Sequence, residues 1–146
     1  MSTEPRQRHP VGLFDADGKR VFTSAQQDAE RRSGSFLISG LILYAAAKAG
    51  DRFSDVLLEA MGCNLDQFTE AVDSEWSAQT RYLQDQPATL VNEAFQSVAA
   101  GMQPGADLHV SVLLAAMLRY PNSMASRLAT RLGIEPLLLA ERLTEA

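Results

Sequence analysis

From Thr23 onward, apolar residues recur three and four positions apart between regularly spaced breakers, and no stretch alternates as a half-buried strand would. This pattern predicts an all-α chain. Thr23 or Ser24 can cap a first helix that runs to about Arg32 and ends at Ser33-Gly34. Phe36, Leu37 and Leu41 to Tyr44 belong to a second helix, apolar nearly all round and so expected to be deeply buried; Gly50 stops it. Asp51 can cap a third helix with Phe53, Val56, Leu57, Ala60 and Met61 on one face and Gly62 as its stop. Asn64 followed by Gln67 has the spacing of a capping box. The fourth helix it opens has Leu65, Phe68, Ala71 and Val72 as its stripe and continues past Trp76 towards Tyr82.

Gln84 to Ala88, with Pro87, reads as a short linker. Thr89 then opens a fifth helix carrying Leu90, Ala94, Phe95, Val98 and Ala99, broken by Gly101, Pro104 and Gly105. Asp107 can cap a sixth helix with Val110, Val112, Leu113, Leu114, Met117 and Leu118, ended by Pro121. Asn122 can cap a seventh with Met124, Ala125, Leu128 and Leu132, closed by Gly133. Pro136 stands where proline is tolerated at the start of an eighth, whose apolar residues are Leu137, Leu138, Leu139 and Leu143.

Residues 1–21 are polar, carry Pro5, Pro10, Gly12 and Gly18, and show no sustained period, so they read as a flexible tail. Asp15-Ala16-Asp17-Gly18 invites comparison with a calcium loop. Such a loop needs a glutamate at its twelfth position, which is Gln26 here, so a plain turn at Asp17-Gly18 is the better reading.

Shifting the chain by 71 residues brings its two halves into register from Leu37 to Val72. Leu43 then meets Leu114, Leu57 meets Leu128, Gly62 meets Gly133, Phe68 meets Leu139, and Gly50-Asp51 meets Pro121-Asn122. The expectation is two tandem four-helix repeats, residues about 22–83 and 88–146, packed with pseudo-two-fold symmetry.

Composition and charge narrow the classes. Of 146 residues, 46% are apolar and 21% charged, which is ordinary for a globular domain. The net charge of −5 disfavours a nucleic-acid binder, since phosphate contact provides most of such a protein's affinity. A single cysteine, Cys63, allows no internal disulfide. The N-terminus lacks the apolar core of a signal peptide, and the apolar run Phe36 to Ala47 falls short of the ~20 residues of a membrane span. A soluble cytoplasmic protein with no nucleic-acid or membrane partner is expected.

Chemistry-bearing residues are sparse. His9 and His109 are the only histidines and, with one cysteine, make a closed zinc site improbable; no metal or cofactor is expected. Cys63 is matched by Ile134 across the offset, which favours a packing role over a nucleophilic one. Asp66, Glu70, Asp73 and Glu75 read as a solvated helix face, and Arg31-Arg32 and Arg127 with Arg131 as surface charge that could also meet an acidic partner. Trp76, Tyr82 and Tyr120 suit either core packing or interface anchoring. No catalytic residue is expected, and the chain reads as a non-enzyme.

The twice-repeated pattern resembles the double-repeat N-terminal domain of Clp-type AAA+ unfoldases over about residues 22–144. The residues that carry the likeness are Phe22-Thr23 and Thr89-Leu90 at the openings, and Leu41 to Ala46 and Val112 to Met117 in the central helices. Met61 to Leu65 and Leu132 to Pro136 carry it at the turns. The resemblance implies a non-catalytic docking module that binds substrate polypeptides or adaptor proteins for an attached or separate Clp ATPase. It also implies protein-binding positions near the openings and the heads of the central helices: Thr23, Gly40, Thr89 and Ser111. Where the family often carries a Glu-His pair, this chain reads Gly40-Leu41 and Ser111-Val112, so the likeness does not extend to phosphoarginine recognition. No G-x-x-x-x-G-K-S/T loop is present. A domain of a larger unfoldase and a stand-alone regulator that sequesters ligands or modulates a Clp protease both remain as readings.

Overall fold

A computed structural model describes residues 14–32, 39–77, 90–101 and 108–145. Among them are eight helices: α1 (Ala16–Arg31), α2 (Ser39–Lys48), α3 (Arg52–Met61), α4 (Leu65–Trp76), α5 (Leu90–Ala100), α6 (Val110–Met117), α7 (Met124–Arg131) and α8 (Pro136–Glu145). The only non-helical pairing among the described residues is one parallel bridge between Phe14 and Leu108. The chain is all-α, as its periodicity predicts.

The centre is made by α2 and α6, which touch each other. Every residue of α2 from Ser39 to Ala47 is buried, as are Val110, Ser111, Leu113, Leu114, Ala115 and Met117 of α6. Each fully buried Leu or Ile of these helices contributes roughly 1.5–3 kcal/mol of burial. Around this pair, α1 and α4 cover α2, while α5 and α8 cover α6. The outer helices also cross over, α3 packing on α8 and α4 on α7.

The start of the fold corrects the expected tail. Helix α1 begins at Ala16, not at Thr23, because Asp15 caps it: the Gly18 amide donates to Asp15 Oδ1 at 2.8 Å. Asp17-Gly18 is therefore helical rather than a turn, and Phe14, 1% exposed, is core. Its ring lies 5.0 Å from that of Phe22 and 6.3 Å from that of Phe95. Residues 1–13 lie outside the described residues.

The third and seventh helices share a device that apolar spacing does not reveal. Asp51 is the expected cap and forms a capping box with Ser54, whose Oγ also donates to the Ala46 carbonyl at 2.6 Å, tying α3 to the end of α2. In the other half Ser123, rather than Asn122, caps α7; its Oγ accepts from the Ser126 amide at 3.1 Å. Ser126 Oγ donates to the Leu118 carbonyl at 3.0 Å. Asp51 and Ser123 stand 72 residues apart, whereas the left-handed Gly62 and Gly133 stand 71 apart, so the gap-free register slips by one between them. Both serines are buried. Ser54→Ala and Ser126→Ala are each expected to destabilise by about 1–3 kcal/mol, because a buried carbonyl loses its donor. Urea unfolding curves check this; a change below about 0.5 kcal/mol, the scatter of surface substitutions, would sink the latch.

Other boundaries follow from local chemistry. His109 caps α6, and the expected cap Asp107 lies outside the described residues. Helix α4 ends at Trp76 with Ser77 as its C-cap, and its expected continuation to Tyr82 lies outside the described residues. Asn64 and Gln67 form the predicted capping box, at 2.8 and 2.9 Å.

Candidate functional site

Of the four positions implied by resemblance, Thr23 is exposed on α1, and Thr89 lies outside the described residues. Gly40 and Ser111 are buried. At Gly40 the first turn of α2 meets α7 so closely that an added Cβ would stand 2.6 Å from Met124 Sδ and 2.9 Å from Met124 Cβ. Beside it the Ala125 amide donates to Ser39 Oγ at 3.1 Å, across 86 residues of sequence. Gly40 is therefore a seam residue joining the two halves of the chain, with no surface to offer a partner. Ser111, 9% exposed, is spent on the cap of α6.

The structure does bring one pair of helix openings together. The Asp15 amide donates to the Leu108 carbonyl at 2.9 Å, so the N-terminal end of α1 lies beside that of α6. In the cap of α6 the Ser111 amide donates to His109 Nδ1 at 3.1 Å, and Ser111 Oγ lies 2.9 Å from the same nitrogen. The imidazole stands edge-on to Phe53 of α3, with ring centres 5.0 Å apart. His109 is thus a capping and packing residue. Among the described residues no group of three or more His, Cys, Asp or Glu is placed to hold a metal.

Carboxylates of α4 divide into two sets. Asp66, Glu70 and Asp73 are exposed, as a solvated face would be, but Glu75 is buried. Glu75 falls three and four residues after Val72 and Ala71, on the apolar stripe itself. Its Oε1 accepts from Arg127 Nε at 3.2 Å, and its Oε2 lies 2.7 Å from Arg131 Nη2. Both arginines come from α7, one turn apart. With Pro121 and Thr130 these three side chains line a cleft of about 460 Å³ between α4 and α7. The signal that could have found it is a charged residue at an apolar-face spacing, with two arginines four apart elsewhere.

A second ion-pair network lies at the end of α1. Asp28, 1% exposed, pairs with Arg31 and with Arg32 Nε at 3.1 Å, and Arg32 also reaches Asp73 of α4 at 2.9 Å. The Arg32 guanidinium carbon sits 5.8 Å over the Trp76 ring. Burial works against the charge on Arg32, but hydrogen bonds and fields from Asp73 and Asp28 outweigh it and hold its pKa above the ordinary value. Arg32, read as surface charge, is mostly covered and reaches from α1 to Asp73 of α4, whereas Arg31 pairs within α1 and stays exposed, as expected.

Among the described residues, the exposed large apolar side chains are Val112 of α6 and Leu137 and Leu138 of α8, at 39%, 51% and 41%. Tyr120 is half-buried, with its hydroxyl donating to Glu93 at 3.3 Å; burial and then the Glu93 charge raise its pKa. Cys63 follows the left-handed Gly62, as Ile134 follows Gly133, and packs against the core. Burial pushes the Cys63 thiol up. Its thiolate fraction at neutral pH is then below that of a free cysteine, so iodoacetamide is expected to react severalfold more slowly with the folded protein than with the protein in urea. Mass spectrometry of timed quenches measures this; equal rates would refute the packed thiol.

A scan against protein-family models finds no match, and no curated protein matches the sequence.

Proposed function

We propose that the chain is a polypeptide-docking module of the Clp N-terminal-domain type, made of two copies of one four-helix unit, and that it performs no chemistry of its own. The observation that carries this reading is the repetition of local devices along the chain. Helices α6, α7 and α8 begin 71, 72 and 71 residues after α2, α3 and α4. Each third helix of a unit is capped by a residue three before a buried serine, and that serine latches onto the preceding central helix. Each then leaves through a left-handed glycine. The exchange of outer helices, α3 onto α8 and α4 onto α7, is what an approximate two-fold axis between α2 and α6 produces.

The docking contacts proposed are the exposed side of α1 around Thr23 and, as separate apolar contacts, Val112 of α6 and Leu137 and Leu138 of α8. Substrate polypeptides or adaptor proteins are the partners this reading names. The test is a pull-down from cell lysate with the purified protein as bait, paired with photo-crosslinkers at positions 23 and 138. Recovery of Clp subunits, an adaptor or a spread of unfolded proteins, crosslinked through these positions, supports it. Recovery of none of these, or crosslinks confined to other faces, overturns it. Partners recovered without any Clp ATPase favour the stand-alone regulatory form.

A further inference from the structure

Burying a carboxylate against two guanidiniums is rarely the most stable way to join two helices. Desolvation of the charges offsets their attraction, and apolar side chains of similar size often serve as well or better. This molecule contains that comparison. Among the described residues no ion pair crosses from α3 to α8, where Arg142 Nη1 of α8 donates to the Ala60 carbonyl of α3 at 3.4 Å, so a junction of this kind holds without a buried carboxylate. The charges at the junction of α4 and α7 therefore call for another reason.

Their arrangement supplies one. Two guanidiniums face one carboxylate, so the three side chains carry one surplus positive charge. Glu75 is 3% exposed, whereas Arg127 and Arg131 are 31% and 43% exposed, so the surplus is on the solvent side. Arg127 uses Nε on Glu75, and Arg131 uses Nε and Nη2. Among the described residues, both terminal nitrogens of Arg127 and the Nη1 of Arg131 make no further hydrogen bond, although both side chains line the cleft. Glu75 orients both forks from below, which lowers the side-chain entropy lost when they grip a ligand. Among the described residues, Pro121 and Thr130 also line the cleft and add apolar carbon beside the guanidiniums.

We infer that the cleft between α4 and α7 binds a single carboxylate on a short aliphatic stem, held by Arg127 and Arg131. One such group neutralises the surplus charge; a phosphate dianion overshoots it. The volume of about 460 Å³ lies within the range of small-ligand pockets, roughly 300–1,000 Å³. The site goes beyond the docking reading, since it needs no partner protein.

The test follows the Nε–H resonances of Arg127 and Arg131 by NMR during titration of the full chain. Three probes are compared: N-acetyl-glutamate amide, N-acetyl-glutamine amide and inorganic phosphate. The glutamate probe is expected to shift both resonances saturably, with the glutamine probe at least tenfold weaker and phosphate weaker than glutamate. Thr130→Glu, at an exposed position, puts a carboxylate at the cleft and is expected to weaken the glutamate probe at least tenfold. Arg127→Gln should do the same, and Thr130→Glu decides the matter if the arginine variant does not fold. Absence of saturation, equal response to the glutamine probe, tighter binding of phosphate, or unchanged affinity in Thr130→Glu would each overturn the site. A failed titration leaves the docking reading standing, and a failed pull-down leaves this one standing.

Discussion

Phe68→Ala is expected to cost about 3–5 kcal/mol, the usual range for removing a buried ring. Phe68 is wholly buried on α4 and stands edge-on to Tyr44 of α2, with ring centres 5.7 Å apart. That tyrosine is itself held by a 2.9 Å hydrogen bond between its hydroxyl and Thr69 Oγ1, one residue along α4. Truncation therefore opens a cavity at the contact that fixes α4 on the central helix. With about 2–4 °C per kcal/mol for a domain of this size, the melting temperature should fall by about 6–20 °C. Because α4 also carries Glu75, the same variant should loosen the grip of Arg127 and Arg131. Calorimetry reads the first effect and arginine side-chain NMR the second. A loss below about 1 kcal/mol would mean that α4 does not rest on α2 through this ring.

Gly40→Ala should destabilise, against the sign that helix propensity alone gives. Alanine is favoured over glycine inside a helix by about 1 kcal/mol. Here the added methyl must displace Met124, whose Sδ and Cβ lie within 3 Å of where it would sit. Overpacking of this kind costs about 1–3 kcal/mol. Met124→Ala alone should lose about 2–5 kcal/mol by leaving a cavity at a fully buried position. In the double variant each change relieves the other, so the losses should fall short of their sum by at least about 1 kcal/mol. Denaturant unfolding of the four proteins measures the coupling. Strict additivity would remove the close approach of α2 to α7.

Helices with strong stripes were the readable part of the fold. The buried runs of α2 and α6, the cap at Asp51, the box at Asn64, and the stops at Gly62 and Gly133 all follow from local chemistry. The start of α1 is not legible in the sequence, because its first turn holds Gly18, which reads as a breaker. Gly18 is there for packing: a Cβ would stand 2.7 Å from Phe14 Cβ. The register slip near Ser123 is not legible either, because both Asn122 and Ser123 can cap a helix, and only geometry chooses. Among the expected binding positions, Gly40 marks a contact between distant segments that no local rule announces. Glu75 was grouped with its exposed neighbours by residue type. Its position on the stripe of Phe68, Ala71 and Val72 was the better guide.

The bridge between Phe14 and Leu108 has a consequence for how the molecule is made. Phe14 and Asp15 rest on a segment synthesised much later. Contacts of such long sequence separation carry a high loop-closure entropy and slow the search for the native state. On the ribosome, α1 can coil as it emerges and Phe14 can meet Phe22, but the backbone bridge at Phe14 cannot form until Leu108 has cleared the exit tunnel. A nascent chain stalled before Leu108 should expose Phe14 and remain open to protease.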